Sequence, residues 1–290
     1  MSLISCIKSF PVVVIKRCFF LFLCLLSVNL VVAQNDTTYQ KGYILVINAY
    51  TEATSWSSRM ISTITRFVAE DPQLAVYTEH MNMMLIDDDA ADLEEFKSAL
   101  FERYGAYPPR LLLLLGDPAL LLKEDFKRVW GDIPMVLCAE KDYTGPDEYY
   151  LHKEVIPQAE RIPMTELADP YNLVLLYSDL YIRKNVELIS QMTPDMKKFI
   201  FIGDERFINV TNEAEVREII RKKYPHVEYE YLSPQILPIN LLIDSLYRVD
   251  AKTTGILFSS WYYKRTFAGN TSLVTNAYKV ITTVSAPLFV

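Results

Sequence analysis

The sequence predicts an α/β protein made of two lobes, each built on a parallel sheet. Three observations predict it. From Lys41 onward, short apolar runs that fit strands alternate with longer amphipathic runs that fit helices. Some strand-like runs are apolar throughout, as in Leu111–Leu115, which suits strands covered on both faces. One design also occurs twice: LLLLLGD (Leu111–Asp117) and FIFIGD (Phe199–Asp204) each run an apolar strand into Gly-Asp, with the glycines 87 residues apart.

The first 33 residues of the 290 read as a secretory signal. Lys8, Lys16 and Arg17 supply the positive region, Cys18–Leu26 the apolar core, and Val31-Val32-Ala33 the small residues before a cut at Gln34. The apolar run from Cys18 to Ala33 is 16 residues, short of the roughly 20 that span a bilayer. An exported chain, in the periplasm or on the periplasmic face of the inner membrane, is expected. Losing three positive residues takes the formal charge from −7 to −10, which argues against nucleic acid and anionic membrane as partners. Three of the four cysteines lie in the signal, so Cys138 has no internal disulfide partner and reads as a small buried hydrophobe. His80, His152 and His226 are isolated, and no metal-ligand spacing or cofactor motif appears; no cofactor is expected.

Taken in order, Tyr43–Ile47 is the first strand and Asn48–Ser58 a polar, aromatic loop. Met60, Ile61, Ile64, Phe67 and Val68 then fall at helical spacing, and Asp71-Pro72 stops that helix. Leu74–Thr78 is the second strand. Met81–Ile86 fits neither period. Asp87-Asp88-Asp89 opens a helix with Leu93, Phe96, Leu100 and Phe101 on one face; acidic residues suit the positive end of its dipole. Arg110–Leu115 is the third strand, Ala119–Trp130 a short helix and Ile133–Ala139 the fourth strand, so the order is βαβαβαβ with right-handed crossovers. Lys141–Pro170 is irregular, rich in Tyr, Pro and charge, and reads as an excursion and crossing. The first lobe is set at residues 41–170 and the second at 171–290.

In the second lobe Asn172–Tyr177 is strand-like, and Ile182, Val186, Ile189 and Met192 line a helix. Lys198–Ile202 is a strand. Asn212 and Glu215 resemble a capping box that starts the next helix. Val227–Leu232 and Thr254–Ser259 are strands around a helix at Leu241–Val249, Ser272–Thr283 is helical and Ala286–Val290 a last strand. An apolar terminal strand leaves an edge to cover, so a continuation beyond this sequence is expected.

The stretch KGYILVINAYTEATSWSSRMISTI resembles the opening strand and helix of type I periplasmic-binding-protein-like sensor regions, which stand at the front of two-component sensor histidine kinases of Bacteroidetes. The matching features are Asn48-Ala49-Tyr50 at the strand end and Trp56 before the helix. Asn185–Glu205 is similar to the family's entry into its second lobe: a helix, a Pro turn, Lys-Lys, and a strand ending in Gly-Asp. The resemblance implies two Rossmann-like lobes, relatives among ABC-transporter substrate-binding proteins, and a crossover back to the first lobe beyond the last strand seen here. It implies a membrane-bound kinase portion, or an ABC permease, as partner.

Strand ends place the candidate site. Asn48, Tyr50 and Trp56 follow the first strand, Asp117 the third and Glu140 the fourth; Asp204 ends the matching strand of the second lobe, and Ser260 and Trp261 a later one. Aromatic faces with polar tips, together with carboxylates, suit a small polar metabolite in an interlobe cleft, such as a sugar, a nucleoside or an amine-bearing compound. Asp117 and Asp204 serve equally well as helix caps, Trp56 as a lid over the sheet edge, and Trp261-Tyr262-Tyr263 as a homodimer contact. With no GxSxG, HExxH, P-loop or GxGxxG, an enzyme is not expected.

Overall fold

Side chains alternate between the faces of a strand, so a wholly apolar strand needs cover on both sides. The computed structural model, which describes residues 42–86, 90–267, 270–275, 282, 284 and 286–289, meets that need with two parallel sheets flanked by helices. The expected signal, Asp87–Asp89 and most of the stretch after Thr275 lie outside the described residues.

The first sheet has the order β2-β1-β3-β4-β7. Its strands are β1 Gly42–Asn48, β2 Leu74–His80, β3 Leu111–Leu115, β4 Met135–Ala139 and β7 Leu173–Tyr177; β5 Tyr143–Thr144 and β6 Ile162–Pro163 form a small antiparallel ladder beside it. Register pairs Val46 with Leu113, Leu113 with Val136 and Val136 with Val174. Helix α1, Ser55–Val68, covers one face through Trp56, Met60, Ile61 and Ile64, which pack on Val46, Leu113, Leu115 and Cys138. Helices α2, Ala91–Tyr104, and α3, Lys123–Trp130, belong to the opposite core. Leu93, Leu100, Phe126 and Trp130 meet Leu45, Ile47, Leu112 and Leu114 there. A 3-10 turn at Asp117–Leu122 precedes α3, and short helices α4, Asp147–Leu151, and α5, Ala168–Tyr171, follow in the excursion.

The second sheet has the order β13-β10-β8-β9, from β8 Lys198–Ile202, β9 Glu228–Leu232, β10 Thr254–Phe258 and β13 Leu288–Phe289. Phe199 and Phe201 face α6, Ile182–Met192, and α7, Phe207–Lys223, while Ile200 and Ile202 face α8, Ile239–Tyr247. This is the period-two alternation of KFIFI read into two cores. Gly255 permits close approach: a Cβ there would stand 2.4 Å from Ile189 Cγ2 of α6. Both sheets lie within one compact unit, Tyr43–Val290. Among the described residues, no helix is long and apolar enough to cross a membrane.

The structure departs from expectation in three places. β7 follows the boundary set at residue 170, yet it pairs in parallel with β4 and completes the first sheet; the second core starts at α6. Helix α7 begins at Phe207, so Asn212 lies within it rather than capping it, and its side chain accepts a hydrogen bond from Lys141 instead. Ser272–Thr275 is not helical. β12, Asn270–Thr275, pairs antiparallel with β11, Tyr262–Phe267, because its β-branched residues suit a two-stranded ladder.

Candidate functional site

In a parallel sheet every strand delivers its carboxyl end to the same edge. The two sheets of this protein direct those edges at a common cleft. The cleft is a space of about 160 Å³ lined by Tyr50 and Trp56 after β1, Glu140 after β4, Leu180 after β7, and Arg206 and Ser259 after β8 and β10. A wider groove of about 650 Å³ shares Glu140 and Leu180 with it and runs between Tyr143, Tyr177 and α7.

The first-lobe wall is a chain of buried polar groups. Gly116 has φ +90°, and a Cβ on it would stand 2.7 Å from the Tyr50 ring, so glycine lets that ring lie against the end of β3. Tyr50 is 4% exposed and its hydroxyl donates to Glu140 Oε2. The Glu140 backbone N–H donates to Asp117 Oδ1 at 2.8 Å. Asp117 is fully buried, and its second oxygen has no hydrogen-bond partner among the described residues. Burial, followed by the negative charge of Glu140, pushes the Asp117 carboxyl well above the usual range. Burial also raises Glu140, opposed by the Tyr50 hydroxyl and the Arg206 charge. Tyr50 is raised by burial and then by Glu140.

The second-lobe wall centres on Asp204 and Arg206. Asp204 Oδ1 accepts from Arg206 Nε at 2.9 Å and Asn209 Nδ2 at 2.6 Å; Oδ2 accepts from Arg206 Nη2 at 3.2 Å, Ser260 Oγ at 2.6 Å and the Tyr262 N–H at 3.1 Å. Burial alone would raise this carboxyl, but the Arg206 charge and these donors outweigh it and hold the pKa below the ordinary value. The Arg206 guanidinium lies between two rings, 5.6 Å from the centre of Tyr50 and 4.6 Å from that of Tyr262. A cation between aromatic faces is held by both ring quadrupoles.

Several contacts join the lobes around the cleft. Tyr262 Oη donates to the Ala53 carbonyl at 3.2 Å. Lys141, 8% exposed, donates from Nζ to Asn212 Oδ1 at 2.9 Å and sits 3.4 Å from Glu215 Oε2. Phe207 of α7 is buried in the first-lobe core, its ring 4.6 Å from that of Tyr150.

Of the eight residues picked from strand ends, Tyr50, Trp56 and Glu140 line the cleft. Asn48 lies behind it, fully buried; it donates to Ser57 Oγ at 3.2 Å, accepts from the Tyr50 N–H and meets His80 Nδ1 at 2.9 Å. Asp117 supports Glu140 from below, and it does so through a backbone bond rather than a helix cap. Asp204 and Ser260 are engaged with each other and orient Arg206. Trp261 is 1% exposed in the core under α8, a position that leaves it no surface for a dimer contact. Strand-end reasoning missed Thr54, Leu180 and Arg206. The signal for Arg206 was Asp204-Glu205-Arg206, an acid and a base two apart just after a strand. Among the described residues, no three His, Cys, Asp or Glu side chains gather as a metal site.

No family model and no curated protein matches this chain. A solved structure, the ABC domain in complex with L-Trp from Streptococcus pneumonia, aligns over 82% of this chain and 67% of its own, with 13% identity and a TM-score of 0.44.

Proposed function

We propose that this protein is an exported receptor for a small ligand, and that its two lobes close on the ligand to send a signal. The observation that carries the reading is the cleft itself: Glu140 from the end of one sheet and Arg206 from the end of the other line one space. A ligand touching both walls binds the closed arrangement better than an open one and shifts the equilibrium by that difference. The charged groups of the cleft are already engaged, Arg206 with Asp204 behind it and Glu140 with the Tyr50 hydroxyl, which supports holding a ligand rather than transforming it.

The signalling arm of the proposal draws on the resemblance of Lys41–Ile64 and Asn185–Glu205 to sensor regions of histidine kinases. In that reading closure reorients the connection to a membrane-bound kinase portion. A free substrate-binding protein serving an ABC permease has the same cleft and differs only in its partner.

The test is a thermal-shift screen of the purified protein against amino acids, sugars and nucleosides, followed by small-angle scattering. A binder raises the melting temperature in proportion to the logarithm of its concentration over Kd, and contracts the particle. Trp56→Ala diminishes the shift. A complete panel without any shift removes the small-ligand reading, and a shift that Trp56→Ala leaves intact moves the site elsewhere.

A further inference from the structure

The cleft's own hydrogen bonding narrows the class of ligand, an inference that rests on the small-ligand reading above. Asn209 and Ser259 line the cleft but are engaged: Ser259 Oγ donates to Asn209 Oδ1, and Asn209 Nδ2 donates to Asp204 and Ser260. Glu140, Arg206 and Thr54 carry polar side-chain atoms that keep capacity, beside the exposed Ser178 hydroxyl. Glu140 binds Tyr50 through Oε2 and leaves Oε1. Arg206 binds Asp204 through Nε and Nη2 and leaves Nη1. Thr54 is 6% exposed, lines the cleft, and its Oγ1 has no partner among the described residues. Trp56, Leu180 and Ile208 supply the apolar part of the wall.

A neutral sugar or nucleoside brings no charge to meet either Glu140 or Arg206, and hydrogen bonds between ionised partners are the stronger ones. A ligand with few polar groups, both charged, fits. One acceptor of negative charge and one donor of positive charge stand on opposite lobes, so the matching molecule carries both charges close together. We propose that the ligand is a small zwitterion, an amino acid with an apolar side chain. Its ammonium donates to Glu140 Oε1, its carboxylate accepts from Arg206 Nη1, and Thr54 Oγ1 gives the third contact. The apolar side chain rests on Trp56, Leu180 and Ile208. Because the two poles belong to different lobes, only the intact zwitterion ties the lobes together.

The test uses L-leucine, L-methionine and L-phenylalanine, each beside its decarboxylated amine and its deaminated acid, with neutral sugars and nucleosides in parallel. Calorimetry and thermal shift on the purified protein read the result. At least one amino acid binds, and its amine and acid bind at least tenfold more weakly. Thr54→Val, which keeps shape and removes the hydroxyl, raises Kd about tenfold, the equivalent of one hydrogen bond at about 1.4 kcal/mol. If a sugar or nucleoside binds and none of the three amino acids does, the zwitterion class is wrong while the small-ligand reading stands. If amine or acid binds as tightly as its parent, the two-pole contact is wrong. If Thr54→Val leaves Kd unchanged, Thr54 is not a contact. The analogues test the proposal on the unaltered protein, whether or not Arg206 variants fold.

Discussion

Asp117 and Asp204 both follow Gly at a strand end and both are fully buried, yet their surroundings drive them in opposite directions. For Asp117, burial and then the negative charge of Glu140 outweigh its backbone donors and the Lys141 charge, so its folded pKa lies above the unfolded one. The folded state then holds the proton more tightly, and stability falls as pH rises past the ordinary value of 3.8. Asp117→Asn keeps an acceptor for the Glu140 N–H and removes the titration. Urea midpoints should show the variant gaining on its parent as pH rises above the ordinary value of 3.8. Asp204 has the reverse sign. Its folded pKa is depressed, so its contribution is present above the unfolded pKa and is lost as pH falls through the folded one. Asp204→Asn leaves the Arg206 charge buried without its partner, at a cost of about 3–5 kcal/mol near neutral pH. The deficit should shrink in acid, below the ordinary 3.8, in the same urea experiment.

At the scale of elements, α7 holds the arrangement. Its first residue, Phe207, leaves its own lobe and fills the first-lobe core against Tyr150. Phe207→Ala should cost about 3–5 kcal/mol by the transfer and cavity terms of a buried ring. Chemical denaturation would show whether the two sheets then unfold apart. This element also marks how far the sequence could be read. The strands were legible because KFIFI and LLLLL state their own burial, and Gly-Asp marked where they end. The start of α7 was not. Asn212 and Glu215 have the right types and spacing for a cap, but the local signal lost to a tertiary one, the Lys141 ammonium reaching across the cleft to Asn212. Ser272–Thr275, read as the start of a helix, misled for a related reason: pairing with Tyr262–Arg265 decided it. Tyr50, Trp56 and Glu140 could be found because strand ends in parallel sheets converge. Arg206 had a signal in the acid-base pair after β8 that strand-end reasoning passed over, whereas Thr54 had none, because nothing in a sequence says which polar atoms are left without partners after folding.

At the scale of the whole molecule, specific polar ties among the described residues join the two sheets beside the Phe207 contact. Lys141 to Asn212, Tyr262 to Ala53, and the Arg206 guanidinium against Tyr50 each cross the cleft. Ties of this kind can be broken one at a time. Lys141→Met removes a buried cation and leaves Asn212 Oδ1 without its donor, at a cost of about 1–3 kcal/mol. Amide exchange should speed up along Phe207–Glu215 and change little in α8. Equal acceleration everywhere would mean that Lys141 supports global stability rather than the contact between lobes.

Trp56 gives the protein a built-in optical probe. Of three tryptophans, Trp130 and Trp261 are 9% and 1% exposed in cores, while Trp56 stands half-buried on the cleft wall, edge-on to the Tyr50 ring at 6.3 Å. Emission excited through indole alone therefore has two components shielded from the cleft and one that reports on it. Ligand entry or lobe movement should alter the intensity and wavelength of that component, and Trp56→Phe should silence the change while leaving the steady background of the other two. Occupancy can then be followed in real time without a label, including the rate at which the lobes respond after mixing.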